Sequence, residues 1–247
     1  GSTAEIGLAI ATELAQENAE VVVNGRTAAR VAAAIEQIKA AAPEAVVWGV
    51  AADLSHAEGV AHLLVACPKV DGLVNNLGIY SASDFETTPD AEWLRFFETN
   101  VLSGVRLARH YLPQMKAQNW GRIVFVSSES ALNAPAEMVH YGMTKAAQLS
   151  VARGLAQTTA GSGVTVNSVL PGPTRSEGVG TFFAELAAAQ GVSLAEAEQA
   201  FFAHARPTSL LKRFIEPAEV AALVAYVCSP RSAATNGAAL RVDGGIV

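Results

Sequence analysis

Tyr141 and Lys145 stand four residues apart in the run Tyr141-Gly142-Met143-Thr144-Lys145. On a helix this spacing places a phenol and an ammonium on one face, one turn apart. An ammonium close to a phenol favours the phenolate, which draws the tyrosine pKa down from about 10 toward the range useful for general acid–base work. Thirteen residues before Tyr141, Ser128 closes an apolar run that reads as a strand. The carboxyl ends of the strands of a parallel sheet line the binding crevice, so Ser128 and Tyr141 can converge there.

The elements needed to position these groups are legible as an alternation. Apolar, β-branched runs at 20–25, 46–50, 72–75, 121–127, 164–169 and 238–242 alternate with longer helical patterns, the signature of repeated βαβ units and a parallel sheet covered on both faces. The expected fold class is therefore α/β: a doubly wound parallel sheet of Rossmann type, one domain spanning 1–247. Thr27 opens a helix running to about residue 41, and Thr88-Pro89 opens another with proline at its first position. Ser193 and Glu196 form a capping-box pair. A helix from about 6 to 17 ends at Asn18, a residue that tolerates the left-handed geometry of a helix stop. More than forty residues separate Val169 from Pro217. An insertion of this length predicts a substrate lid over 175–216. The small-residue loop Gly1-Ser2-Thr3-Ala4-Glu5-Ile6-Gly7 runs straight into a helix. Such a loop normally follows a sheet's first strand, so a strand is expected ahead of it.

Composition narrows the function classes. Of 247 residues, 51% are hydrophobic and 16% charged, which excludes a disordered chain. No apolar run reaches the roughly 18 residues of a membrane span and no signal peptide opens the sequence, so the expected location is cytoplasmic. Seventeen basic against twenty-three acidic residues, with no basic cluster, argue against nucleic acid as a partner. Cys67 and Cys228 read as separate buried thiols, and the five histidines show no metal-ligand spacing. His140 reads as structural or solvated, and Phe182, Phe183, Phe201 and Phe202 read as packing residues.

These marks, in their order and spacing, resemble the short-chain dehydrogenase/reductase family over essentially the whole chain. Gly1 to Gly7 resembles that family's cofactor loop, with Gly1, Ser2, Thr3 and Ile6 as contacts. Asp53-Leu54 resembles the adenine-contacting pair, Asn75-Asn76-Leu77-Gly78 the loop after the fourth strand, and Asn100 the structural asparagine. Ser128, Tyr141 and Lys145 fall where the catalytic residues belong, followed by Pro171-Gly172 and Asp243-Gly244-Gly245.

The resemblance implies that Tyr141 gives a proton to a carbonyl oxygen as a nicotinamide delivers hydride, and takes it back in oxidation. Ser128 holds that oxygen, and Lys145 bonds the nicotinamide ribose and lowers the Tyr141 pKa. Asn100 holds a water that links Lys145 to bulk solvent, and Thr174 meets the carboxamide. At the end of the second strand of such a fold, an acidic residue would bond the adenosine ribose and repel a 2′-phosphate. Here Gly25 is followed by Arg26, which favours NADP(H) over NAD(H), with Arg30 one turn further along. The implied protein is an NADP(H)-dependent carbonyl reductase or alcohol dehydrogenase acting on a small molecule, built as a homotetramer partly through the helices carrying Asn100 and Tyr141. Reduction of a 3-oxoacyl thioester is one candidate, and oxidation of a secondary alcohol, sugar or cyclic hydroxyl is its rival. A catalytically weak nucleotide-binding or regulatory protein is the reading from another class. The one departure in the loop is Glu5, where the family has its middle glycine. An inward Glu5 would repel a pyrophosphate; an outward one would sit harmlessly in the first turn of the helix.

Overall fold

The computed structural model describes the backbone of residues 1–247 and every side chain except those of Glu177, Gly178, Phe182, Glu185, Leu186 and Gln190. Phe182, expected to be a packing residue, thus lies outside the described side chains. In chain order the elements are α1 (Glu5–Gln16), β1 (Val21–Gly25), α2 (Ala28–Ala41), β2 (Val47–Ala51), α3 (Ala57–Ala66) and β3 (Gly72–Asn75). There follow α4 (Asp90–Phe97), α5 (Ser103–Ala117), β4 (Gly121–Val126), α6 (Val139–Thr158) and β5 (Val164–Pro171), then α7 (Glu177–Gln190), α8 (Leu194–His204), α9 (Pro217–Cys228) and β6 (Ala239–Val242).

All pairings are parallel, as the βαβ alternation predicts. The strands fall into two groups. β1 pairs with β2, and β3-β4-β5-β6 form a second sheet. No strand among the described residues lies between β1 and β3 to carry the ladder across. The loop at Gly1 and Ser2 bridges the carboxyl ends of the two sheets instead: Ser2 N donates to the Asn24 carbonyl (2.9 Å), and Asn76 Nδ2 donates to the Gly1 carbonyl (2.7 Å).

Period-two patterning in β4 shows why both faces are covered. Ile123 and Phe125 join a core with Val60 and Leu63 of α3, Leu107, Tyr111 and Met115 of α5, and Ala152 of α6. Val124 and Val126 point the other way, into Ile10 of α1 and Val220, Val224 and Val227 of α9. A strand with alternate residues buried on opposite faces cannot slip by one position without exchanging the two sets, so its register is fixed.

Helix ends follow local chemistry. The Thr27 side chain accepts from Arg30 N at the start of α2, and Ser193 with Glu196 makes the predicted capping box on α8. Asn18 takes φ 63° after α1, and Ala19 N reaches back to the Leu14 carbonyl (3.0 Å), completing a left-handed stop. One predicted start shifts: Pro89 is the cap, and α4 begins at Asp90. Thr88 does not cap it, because its hydroxyl donates instead to the Asp84 carbonyl (2.7 Å). The 175–216 stretch folds as α7 and α8 around Phe183, Phe201, Phe202 and Phe214, an aromatic core of its own. No helix of the described residues is long and apolar enough to cross a membrane.

Candidate active site

Three carboxyl-end features meet beside β4. The strand stops at Val126, one residue earlier than predicted, and Ser127 turns its hydroxyl to the Lys145 carbonyl (2.9 Å). Ser128 then caps a short 3-10 turn, Glu129–Ala131, by accepting from Ser130 N (3.1 Å). α6 supplies Tyr141 and Lys145 on the face turned toward this cap. Ser128 and Tyr141 are thereby brought together, close enough for the Ser128 hydroxyl to lower the Tyr141 pKa.

Lys145 is buried, and its ammonium donates to the Val126 carbonyl (3.0 Å) while lying 5.5 Å from the centroid of the Tyr141 ring. The expectation that Lys145 draws the Tyr141 pKa down is not met. Burial pushes the phenol well above its ordinary value; the Ser128 hydrogen bond opposes this, and the Glu129 charge adds to it. The physical reason is geometric: the Lys145 ammonium is directed at a backbone carbonyl and the ring face. Burial also lowers the Lys145 pKa from 10.5 to about 8, with the Glu129 charge acting the other way.

This has a consequence for stability. Between about pH 8 and 10.5 the unfolded chain holds a Lys145 proton that the folded chain has lost, so this residue's contribution rises with pH across that window. Lys145→Met is therefore expected to be more stable than the parent at pH 7, by about 1–3 kcal/mol. That advantage should shrink by pH 9.5. Thermal unfolding of both proteins at the two pH values checks this, and parallel pH dependences would contradict the assignment.

Asn100 sits in a wide π-helical turn, Glu98–Leu102, between α4 and α5, a local irregularity common at functional sites. Its side chain accepts from Ile79 N (2.8 Å) and donates to the Ile79 carbonyl (3.0 Å), clamping the loop after β3. It also donates to Thr144 Oγ1 (3.0 Å), one residue before Lys145. The Asn100 carbonyl accepts from the buried Gln148 Nε2 (2.5 Å), a partner that sequence reading missed. Gly78, in the same loop, is adjacent to Lys145: a Cβ there would lie 3.5 Å from its ammonium.

The loop ahead of α1 fits an anionic group on structural grounds. Its cap residue, Ala4, makes no side-chain hydrogen bond, so no side chain occupies the first-turn amides. Gly7 packs so tightly that a Cβ would collide with the Gly1 carbonyl and Asn76. Thr3 and Ile6 are half-buried beside them. Arg26 is exposed at the end of β1 and, among the described residues, has no ion-pair partner. Arg30 is likewise exposed, on α2.

Asp53 lies beyond β2, where its carboxylate accepts from Ser55 N (3.0 Å) and Ser55 Oγ (2.6 Å). These bonds hold its pKa below the usual carboxylate range, and the Arg26 charge adds a smaller effect. The helix that follows has His56 at its N-cap position, with no side-chain cap bond. Leu54 is buried in the core and lines, with Gly1, Asn76 and Asn100, a cavity of about 20 Å³. At the end of β5, Gly172 packs against Asp243, and Thr174 Oγ1 donates to the Gly172 carbonyl (2.9 Å). Pro171 closes that strand.

Glu5 combines the exposure that the outward alternative expects with a backbone conformation that neither alternative anticipated. Its side chain is exposed, as the outward reading expects, but its backbone takes φ 52°. That left-handed conformation suits glycine and is unfavourable for a residue with a Cβ. Glu5→Gly is expected to raise thermal stability by about 0.5–1 kcal/mol, the relieved strain outweighing the lost first-turn charge. The corresponding rise in Tm is roughly 1–4 °C. NADPH affinity should improve by no more than about fivefold, fading with added salt. A lower Tm in this variant would refute the strain.

His140 is buried edge-on against Phe96 (4.3 Å between centroids) and Trp93 (6.1 Å), a packing position. Sequence reading also missed Glu129. It is buried beside Ser128 and accepts the Ser128 hydroxyl proton. A single acidic residue after a strand carries no periodicity that would announce its burial.

With this geometry established, comparison places the chain among known proteins. A family model described as enoyl-(acyl carrier protein) reductase matches residues 1–247. The chain is 47% identical over its full length to the Bacillus subtilis (strain 168) protein named "Uncharacterized oxidoreductase YvaG", covering 94% of that protein. It is 31% identical to D-beta-hydroxybutyrate dehydrogenase of Cupriavidus necator, again over all of this chain and 95% of the relative. The crystal structure of L-sorbose reductase from Gluconobacter frateurii, complexed with NADPH and L-sorbose, superposes with a TM-score of 0.92 at 30% identity, covering 100% of this chain and 94% of that one. The chain belongs to the short-chain dehydrogenase/reductase family, with its Rossmann-like fold, and is an oxidoreductase of that family.

Proposed function

We propose that this protein is an NADP(H)-dependent oxidoreductase that interconverts a carbonyl and a secondary alcohol. The observation that carries the reading is the convergence of Ser128, Tyr141 and Lys145 at the carboxyl end of β4, with Gly78 of the neighbouring loop beside the Lys145 ammonium. A nicotinamide bound there supplies the hydride. Gly1, Ser2, Thr3 and Ile6 hold the pyrophosphate at the open end of α1, and Arg26 takes the 2′-phosphate. Asp53, Leu54 and Asn76 border the adenosine side, while Pro171, Gly172 and Thr174 border the nicotinamide.

Burial keeps Tyr141 in its protonated form, the form that donates to a carbonyl oxygen. Ser128 orients that oxygen, and Lys145 bonds the ribose. The Asn100 carbonyl, which gives one lone pair to Gln148, has a second for a water leading to Lys145. The 175–216 segment serves as the lid, and the assembly is a homotetramer, as the family resemblance implies.

The substrate classes in keeping with this reading are 3-oxoacyl thioesters and hydroxylated ketones. The names of the relatives support both: one is a reductase solved with L-sorbose, while a D-beta-hydroxybutyrate dehydrogenase acts on a 3-hydroxy acid whose oxidised form is a 3-oxo acid. A panel of a 3-oxoacyl thioester, a ketose and a cyclic ketone, followed by NADPH absorbance, tests the proposal. Consumption of NADPH with at least one of them is expected. Tight NADPH binding with no turnover on any carbonyl or alcohol would favour a nucleotide-binding role instead.

A further inference from the structure

Ser128 has one proton and two claimants for it. In this structure the hydroxyl donates to Glu129 Oε2, and the substrate oxygen proposed to bind beside Tyr141 is the other claimant. A serine whose one O–H points at a carboxylate cannot also donate it to a carbonyl oxygen. Glu129 is 6% exposed, so water does not compete for it, and it lies on the turn that Ser128 itself caps.

The other Glu129 oxygen faces a second element. Arg206, just beyond α8, places Nε 3.9 Å from Glu129 Oε1, within ion-pair range and short of a direct hydrogen bond. Its side chain is 20% exposed, held over the Phe201 ring (5.7 Å) and by a bond from Nη1 to the Ala205 carbonyl (2.8 Å). Arg206 therefore belongs mechanically to the aromatic core of α7 and α8. One buried carboxylate thus joins the segment over the site to the serine within it.

We propose that Glu129 is a positioning residue that decides which acceptor takes the Ser128 proton, and that Arg206 sets that choice by engaging the Glu129 carboxylate when the α7–α8 segment settles on the site. A guanidinium hydrogen-bonded to a carboxylate takes up its lone pairs and weakens it as an acceptor for a neutral hydroxyl. Ser128 is then released to donate to the substrate oxygen. With Arg206 absent, the Ser128 hydroxyl goes on donating to Glu129 and is held turned away from the substrate oxygen.

The inference rests on the carbonyl-reducing role proposed above. Its test is a set of variants assayed on a carbonyl that the parent reduces, with kcat normalised to the fraction of protein that binds NADPH. Arg206→Ala is expected to lower kcat at least tenfold with unchanged NADPH affinity. Adding Glu129→Gln to it should restore most of that loss, because the amide is a weaker acceptor than the carboxylate. In a Ser128→Ala background, neither substitution should change the residual rate. If the double variant is as slow as Arg206→Ala or slower, or if the losses persist without Ser128, the proposal is overturned. Should Arg206→Ala fail to fold, Arg206→Lys carries the same test, since a lysine retains the charge but not the fork. A parent inactive on every carbonyl and alcohol would instead refute the proposed function, an outcome read before any variant is made.

Discussion

Tyr141→Phe is expected to lower turnover by at least about 100-fold while NADP(H) binding stays nearly intact. The substitution removes one hydroxyl and keeps the ring that lies under the Lys145 ammonium and edge-on to Tyr80, 6.5 Å between centroids. General acid–base catalysis contributes at least 10²-fold where a side chain supplies the proton in the transition state. Because burial holds the phenol protonated, its loss strikes the reductive direction directly. Steady-state rates together with an NADPH titration separate chemistry from binding. A residual rate above about a tenth of the parent's would remove Tyr141 from its proposed role, since a positioned acid is worth much more than that.

Arg26→Ala carries the second large effect. A charge-assisted hydrogen bond to the 2′-phosphate has no counterpart in NAD(H), so its loss should cost roughly 1.5–3 kcal/mol with NADP(H). That corresponds to about ten- to a hundredfold in affinity, with NAD(H) affinity little changed. The structure adds a reason to expect a clean result. Arg26 is exposed, and the Asp53 carboxylate beyond the neighbouring strand is occupied with Ser55. Neutralising the arginine therefore leaves no buried charge unpaired. Dissociation constants for both cofactors, parent against variant, decide the matter. Equal losses would mean that Arg26 contributes general positive potential and does not read the phosphate.

The alternation of strands and helices, five of the six strand positions to within a residue and the helix stop at Asn18 were legible because each is set by local chemistry. Burial on both faces demands continuous apolar runs, and a left-handed stop demands glycine or asparagine. Only β5 runs more than one residue further than expected, to Pro171, where proline, which has no N–H to donate onward, closes the strand. The sequence also determined which residue types stand at the strand ends: Ser128 after β4, Tyr141 and Lys145 one helical turn apart, and Arg26 after β1.

Only the tertiary structure decided how those groups affect one another. That Lys145 turns to the Val126 carbonyl and that the Tyr141 pKa rises instead of falling depend on contacts between elements distant in sequence, and the Ser128–Glu129 hydrogen bond, although between neighbours, is buried by what packs over their turn. The left-handed backbone at Glu5 belongs to the same class, since the close approach of Gly1 and Asn76 to Gly7 dictates the path of the loop. Residue spacing fixes which face of a helix or strand a side chain occupies. Burial and the direction of a hydrogen bond are set by what packs against that face, and for this site the packing comes from α6, the β3 loop and the segment beyond α8.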